Sequence, residues 1–121
     1  MSNASSNRFA NRFEGKVALL TGSAATLKGE LMGFGGATVW RFLEEGGRGV
    51  VITDVQDEIG ERSAAQLRDS GHDAIYMHLD VTDEDQWAVV ANATMEHFGR
   101  IDILVNIAGI LDPKSILDIE T

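Results

Sequence analysis

Four short segments hold residue types that could handle a charged, hydroxyl-rich ligand. Leu20-Thr21-Gly22-Ser23 closes a first apolar run, and a glycine cluster, Gly33-Phe34-Gly35-Gly36, follows it. Asp54 closes a later apolar run, and Asn106-Ile107-Ala108-Gly109 closes another. Glycines between a strand and a helix offer backbone N–H groups to a phosphate with no side chain in the way. Gly22 would open such a turn, Gly33 and Gly35 would stand where the helix begins, and Gly36 would let that helix pack closely on the sheet. Asp54 lies 19 residues after Gly35, where a carboxylate can accept both hydroxyls of an adenosine ribose. In that order the segments describe a dinucleotide site at one end of a parallel sheet.

Each segment also has a plainer reading. Glycines serve ordinary strand-to-helix turns, and Asp54 can be a solvated carboxylate that starts a turn. Asp80 could meet the adenine amino group, with Val81 against the ring, or cap the next helix; the two roles can coexist. Asn106 could bridge backbone groups of adjacent strands, in a structural role or a functional one. Small residues around it would let a ligand lie close to the backbone. An acid at Asp54 repels a 2′-phosphate, and Val55 next to it brings no positive charge, so NAD is favoured over NADP.

These residues need a frame that brings strand ends together, and the chain has the rhythm for one. Val17 to Leu20 is continuously apolar, as a strand buried on both faces should be. The patterning predicts a helix over residues 35–45, with Ala37, Trp40 and Leu43 on one stripe. It then predicts a strand over 50–53, a helix over 57–70 and a strand over 74–79. Thr82 is expected to cap a third helix, which runs to Phe98 with Trp87, Val90, Ala91, Thr94 and Phe98 at helical spacing. Ile101 to Val105 is the fourth strand. Alternating strands and helices with short connections point to an α/β, doubly wound parallel sheet with right-handed crossovers. Residues 1–15 read as a loose tail, and no domain boundary follows Lys16.

Bulk composition narrows the function. The chain has 121 residues, enough for one core, and is 44% hydrophobic. A net charge of −9 argues against nucleic acid or an anionic membrane as partner. No cysteine is present, which excludes disulfides and thiol catalysis and fits a reducing, cytoplasmic setting. The three histidines, His72, His78 and His97, have no metal-ligand spacing. Trp40 and Trp87 fall on apolar stripes and are expected in the core.

Taken together, the segments resemble the short-chain dehydrogenase/reductase family. Phe13-Glu14-Gly15-Lys16-Val17-Ala18-Leu19-Leu20-Thr21-Gly22 looks like that family's opening. Leu79-Asp80-Val81-Thr82 and Gly99-Arg100-Ile101-Asp102-Ile103-Leu104-Val105-Asn106 look like its third and fourth strand regions. The resemblance implies a Rossmann-type sheet of order 3-2-1-4-5-6-7, of which this chain supplies 3-2-1-4. It implies that Gly22, Ser23, Gly33, Phe34 and Gly35 line the phosphates and that Asp54 binds the adenosine ribose. Asp80 and Val81 would bind adenine; Asn106, Ala108 and Gly109 would border the nicotinamide-side ribose. The full-length parent would form homo-oligomers and act on a small-molecule alcohol or carbonyl.

Three departures from the family stand out. Thr26 occupies the position of the family's second glycine, so residues 26–32 read as a seven-residue insertion, either an extra helical turn or a flap over the phosphates. Lys28 could reach a phosphate from there, although a solvated lysine is the simpler expectation. Ile107 stands where the family commonly has a second asparagine. The family's catalytic tyrosine and lysine lie four residues apart, yet the one tyrosine here, Tyr76, has Asp80 at that distance. The chain therefore reads as the cofactor-binding portion of an NAD-dependent oxidoreductase, silent by itself. The alternative is a nucleotide-binding or interaction module without catalysis. In either case the fourth strand would be an unpaired apolar edge.

Overall fold

The computed structural model describes residues 11–108. Strand β1 (Val17–Thr21) leads into a two-stranded hairpin, β2 (Thr26–Leu27) and β3 (Leu31–Met32), and then into helix α1 (Phe34–Glu44). Next come β4 (Gly49–Asp54), α2 (Asp57–Asp69), β5 (Ala74–His78), α3 (Glu84–Phe98) and β6 (Ile103–Asn106). The main sheet has the order β5-β4-β1-β6, and all its pairings are parallel. With the hairpin set aside, this is the expected 3-2-1-4 half of a doubly wound sheet.

Alternating side chains on each strand face opposite layers. Ala18, Leu20, Val50, Ile52 and Ala74 pack against Val39, Trp40, Phe42 and Leu43 of α1 and Ala64 and Leu67 of α2. Val17, Leu19 and Val51 pack against Leu79 and against Val90 and Phe98 of α3. Each large side chain fully buried here contributes roughly 1.5–3 kcal/mol relative to leaving it exposed. Register then aligns the strand ends. Thr21 faces Asn106 across β1 and β6, and Asp54 faces His78 across β4 and β5. Every segment that carries candidate chemistry therefore reaches the same end of the sheet.

Several local expectations change. The α1 stripe is turned: Val39, Trp40, Phe42 and Leu43 are buried, while Ala37 is exposed. Ala37 instead lines an apolar groove of about 450 Å3 between α1 and β6, with Ala18, Leu20, Ile103 and Val105 among its other walls. The cap of α3 is Asp83, whose carboxylate accepts the N–H of Gln86 at 3.2 Å. Thr82 is not the cap, because its hydroxyl donates to Asp80 at 2.6 Å. Strand β6 begins at Ile103, two residues later than the apolar run suggests, because Asp102 serves another purpose. Its carboxylate accepts Val17 N–H at 2.8 Å, and its own N–H goes to Val17 O at 2.9 Å.

The loose tail expected over residues 1–15 holds fast from Asn11 onward. Phe13 packs on the core and donates its N–H to Glu45 O at 3.0 Å, and Arg12 pairs with the buried Glu45 carboxylate. Trp40 is buried as expected, while Trp87 is only partly so. Among the described residues β6 is an edge strand, and its Leu104 is 57% exposed. No helix of the described residues is long and apolar enough to cross a membrane.

Candidate nucleotide-binding site

A cleft of about 410 Å3 opens at the shared strand ends, lined by Gly22, Asp54, Val55, Leu79, Asp80, Val81 and Ala108. Unlike the apolar groove beside β6, it carries convergent polar groups, as a ligand site needs. Gly22 sits at φ +62°, and a Cβ there would stand 2.7 Å from the backbone nitrogen of Ala108. The turns after β1 and β6 can touch only because that position carries no side chain.

Thr21 ties the two turns together. Its hydroxyl donates to Asn106 Oδ1 at 2.7 Å and accepts the N–H groups of Ile107 at 3.0 Å and Ala108 at 3.1 Å. Asn106 therefore joins β1 to β6 through a side-chain bond. Ala108 stands at the lip of the cleft, and Gly109 lies outside the described residues.

Helix α1 points its N-terminus at this junction. A Cβ on Gly35 would lie 3.0 Å from Gly22 O. Gly33 is the N-cap without a side-chain cap bond, and the first turn holds no acid. Ala37 N–H is the first to bond back, to Gly33 O at 2.9 Å. The N–H groups of Phe34, Gly35 and Gly36 thus have no partner within the helix, which suits an anion. Gly36 packs on the preceding loop rather than on the sheet, since a Cβ there would overlap Ala25 O.

The other residues expected at the phosphates sit differently. Ser23 is fully buried, with its N–H on Thr53 O at 3.0 Å. Its hydroxyl accepts Thr53 N–H at 3.1 Å and donates to Leu20 O at 3.0 Å, so Ser23 stitches β1 to β4. Gly33 donates its N–H to Ala25 O at 2.9 Å. The Phe34 ring is 90% exposed and borders the apolar groove.

Asp54 is partly buried at the end of β4. One carboxylate oxygen accepts Ala24 N–H at 3.1 Å, the other Val55 N–H at 2.7 Å. Both oxygens keep a lone pair for a ligand hydroxyl. Among the described residues that line the cleft, none is basic. Asp80 accepts both the hydroxyl and the N–H of Thr82, at 2.6 and 3.0 Å, and these bonds hold its carboxyl below the usual range. Val81 lines the cleft, and its carbonyl accepts Trp87 Nε1–H at 2.9 Å. These groups fit a dinucleotide: orphan N–H donors at α1, a carboxylate at Asp54 and an apolar wall at Val81.

The insertion is neither a helical turn nor a flap. It forms the β2–β3 hairpin and lies along α1 and α2. Thr26 O accepts Trp40 Nε1–H at 2.9 Å, and Arg62 pairs with Glu30 at 2.7 Å. Gln66 exchanges bonds with both the N–H and the carbonyl of Lys28, at 2.8 and 3.3 Å. The Lys28 ammonium sits over the Trp40 ring, 4.4 Å from its centroid, rather than at the phosphate turn.

Tyr76 does not resemble a proton-exchange group. Its hydroxyl lies between two acceptors, Asp54 O at 2.7 Å and Asp57 Oδ1 at 2.6 Å, and shares its one proton with them. Burial, with the Asp57 carboxylate next, pushes its pKa up, the opposite of what proton transfer near neutral pH requires. His78 pairs with Asp57 and His97 with Asp73, and no three ligands among the described residues could hold a metal. Sequence reading assigned no role in the site to Thr21, which joins the two turns, or to Leu79, which lines the cleft. The Thr-Gly pair at a strand end was the available signal for Thr21.

The sequence profile of a family described as enoyl-(acyl carrier protein) reductase matches residues 29–121. A relative from Arabidopsis thaliana that shares the stretch is named a short-chain dehydrogenase reductase. It is 40% identical over 110 residues, which is 89% of this chain and 38% of that protein. The chain belongs to the short-chain dehydrogenase/reductase family.

Among the short-chain dehydrogenases it is similar to 2,5-dichloro-2,5-cyclohexadiene-1,4-diol dehydrogenase LinX of Sphingobium indicum. The two are 43% identical over 104 residues, which is 86% of this chain and 38% of that protein. A short-chain dehydrogenase from Mycobacterium smegmatis superposes with TM-score 0.73 at 33% identity, over 89% of this chain and 42% of that one. One from Burkholderia phymatum, solved in complex with NAD, gives TM-score 0.67 at 32% identity, over 76% of this chain and 30% of that one. The chain thus spans about two fifths or less of the length of these family members.

Proposed function

We propose that this chain is the NAD-binding portion of a short-chain oxidoreductase. One observation carries the reading. The anion-ready start of α1, closed on Gly22, and the Asp54 carboxylate stand at the same end of one sheet. The first would hold the pyrophosphate and the second the adenosine ribose, while Asp80 and Val81 would border adenine. Gly22, Ala108 and the Thr21–Asn106 junction would meet the nicotinamide-side ribose. Bound NAD would supply a hydride acceptor, and the whole protein would use it on an alcohol or carbonyl.

The carboxylate at Asp54, with no basic residue among the cleft walls, supports NAD over NADP. The complex of the Burkholderia phymatum relative with NAD points the same way. Titration calorimetry of the 121-residue chain with NAD tests the reading. Saturable one-to-one binding supports it, and absence of heat from folded protein overturns it.

A further inference from the structure

We propose that Ser63, on α2 outside the cleft, is a positioning residue for the Asp54 carboxylate. The proposal rests on the reading of Asp54 as the ribose acceptor. Ser63 is fully buried, and its hydroxyl donates to Ala24 O at 2.6 Å and accepts Thr26 N–H at 3.3 Å. Ala24 is also fully buried, and its N–H is the group that grips Asp54, at 3.1 Å. Ser63 and Asp54 thus hold the two polar groups of one residue from opposite sides.

The place of this contact gives it a purpose. Thr26 is the first residue of the inserted hairpin. A hairpin in a phosphate turn would pass its motion to Ala24 unless it were fixed at the root. Trp40 Nε1–H holds Thr26 O at the root, and Ser63 is the contact there that also reaches Ala24. Gln66 and Arg62, elsewhere on α2, hold only Lys28 and Glu30. Without the Ser63 hydroxyl, the Ala24 carbonyl keeps only the tight local bond from Thr26 N–H, at 2.8 Å, and the Ala24–Thr26 segment loses its tie to α2. The Asp54 carboxylate then loses its fixed orientation toward a ribose.

A merely structural serine would lower the folded fraction and weaken all ligands alike. The ratio of two affinities within one variant cancels that effect. The probes are NAD and the NAD analogue that lacks the adenosine 2′-hydroxyl, titrated into the 121-residue chain. Wild type is expected to prefer NAD by about tenfold or more, the scale of one hydrogen bond to a charged group. In Ser63→Ala the preference should fall to about threefold or less, and Ser63→Thr should restore it. Gln66→Ala, which loosens only the hairpin tip, should keep it. Ser63→Cys, of similar volume but a weak donor, should lie between wild type and alanine, and supplies the reading if Ser63→Ala does not fold. A preference unchanged in Ser63→Ala, or in Ser63→Cys where alanine fails, overturns the proposal and leaves the nucleotide site standing. A wild type that binds NAD without preference overturns the ribose role of Asp54 and this inference together. A wild type that binds neither probe overturns the nucleotide reading itself.

Discussion

Thr21 and Asn106, on adjacent parallel strands, share a hydrogen bond of 2.7 Å between hydroxyl and amide oxygen. The same hydroxyl accepts two N–H groups from the turn after β6. One buried oxygen thereby sets the distance between the two turns that border the cleft. Thr21→Val keeps the shape and removes the oxygen. Three polar groups lose a partner, so denaturant unfolding should show a loss of about 1–3 kcal/mol. NAD affinity should fall about tenfold as the Ala108 lip drifts. A variant of wild-type stability and affinity would show that the junction is idle.

Gly22 cannot accept a side chain. Its φ of +62° costs an L-residue roughly 1–2 kcal/mol. A Cβ would also meet backbone atoms of Ala108 at 2.7 and 2.8 Å, and backbone cannot swing aside. Gly22→Ala should lower the urea midpoint and weaken NAD at least tenfold in calorimetry. Unchanged binding would mean that the cleft tolerates a displaced turn, which the geometry opposes.

Asp54→Asn tests cofactor choice. The amide keeps one oxygen for a backbone N–H but removes the charge that opposes a 2′-phosphate. The preference for NAD over NADP should shrink at least tenfold, which corresponds to about 1.4 kcal/mol. The comparison is made within the variant, because an amide beside two N–H donors also lowers stability. A ratio equal to wild type would remove charge repulsion as the basis of choice.

Acid should unfold the protein through its paired carboxylates. Arg100 first, and Val17 N–H next, hold the Asp102 carboxyl below the usual range. Arg12 first, with Arg41 adding to it, does the same for Glu45. A folded-state pKa below the unfolded one means that the unfolded chain takes up protons first as pH falls. This stability is therefore present above about pH 4, the ordinary carboxylate range, and is lost as pH drops through the folded values. Urea midpoints measured from pH 7 to pH 3 should decline mainly below about pH 5, and less steeply in Asp102→Asn. A midpoint that holds level to pH 3 would contradict the role of these pairs.

Much of this protein was legible from local pattern. Apolar runs at Val17–Thr21 and Gly49–Asp54 announce strands because a sheet covered on both faces admits little else. Gly22, Asp54 and Asp80 stand out because each is a polar or glycine residue that ends such a run. These features depend on residues close in sequence, and so the chain of residues by itself determined the order of the main-sheet strands and their helices, the fold class and the strand-end acids.

Contacts between distant residues were decided only by tertiary structure. Ser23 and Gly22 are neighbours, yet the sheet turns the first inward to Thr53 and leaves the second facing Ala108. The hairpin lies on α2 because Ser63, Gln66 and Arg62 reach it across more than thirty residues. Ala37 leaves the core because its side of α1 faces the groove beside β6. Periodicity fixes which residues share a face. What that face meets depends on the neighbour that packing places there, and no window of sequence contains it.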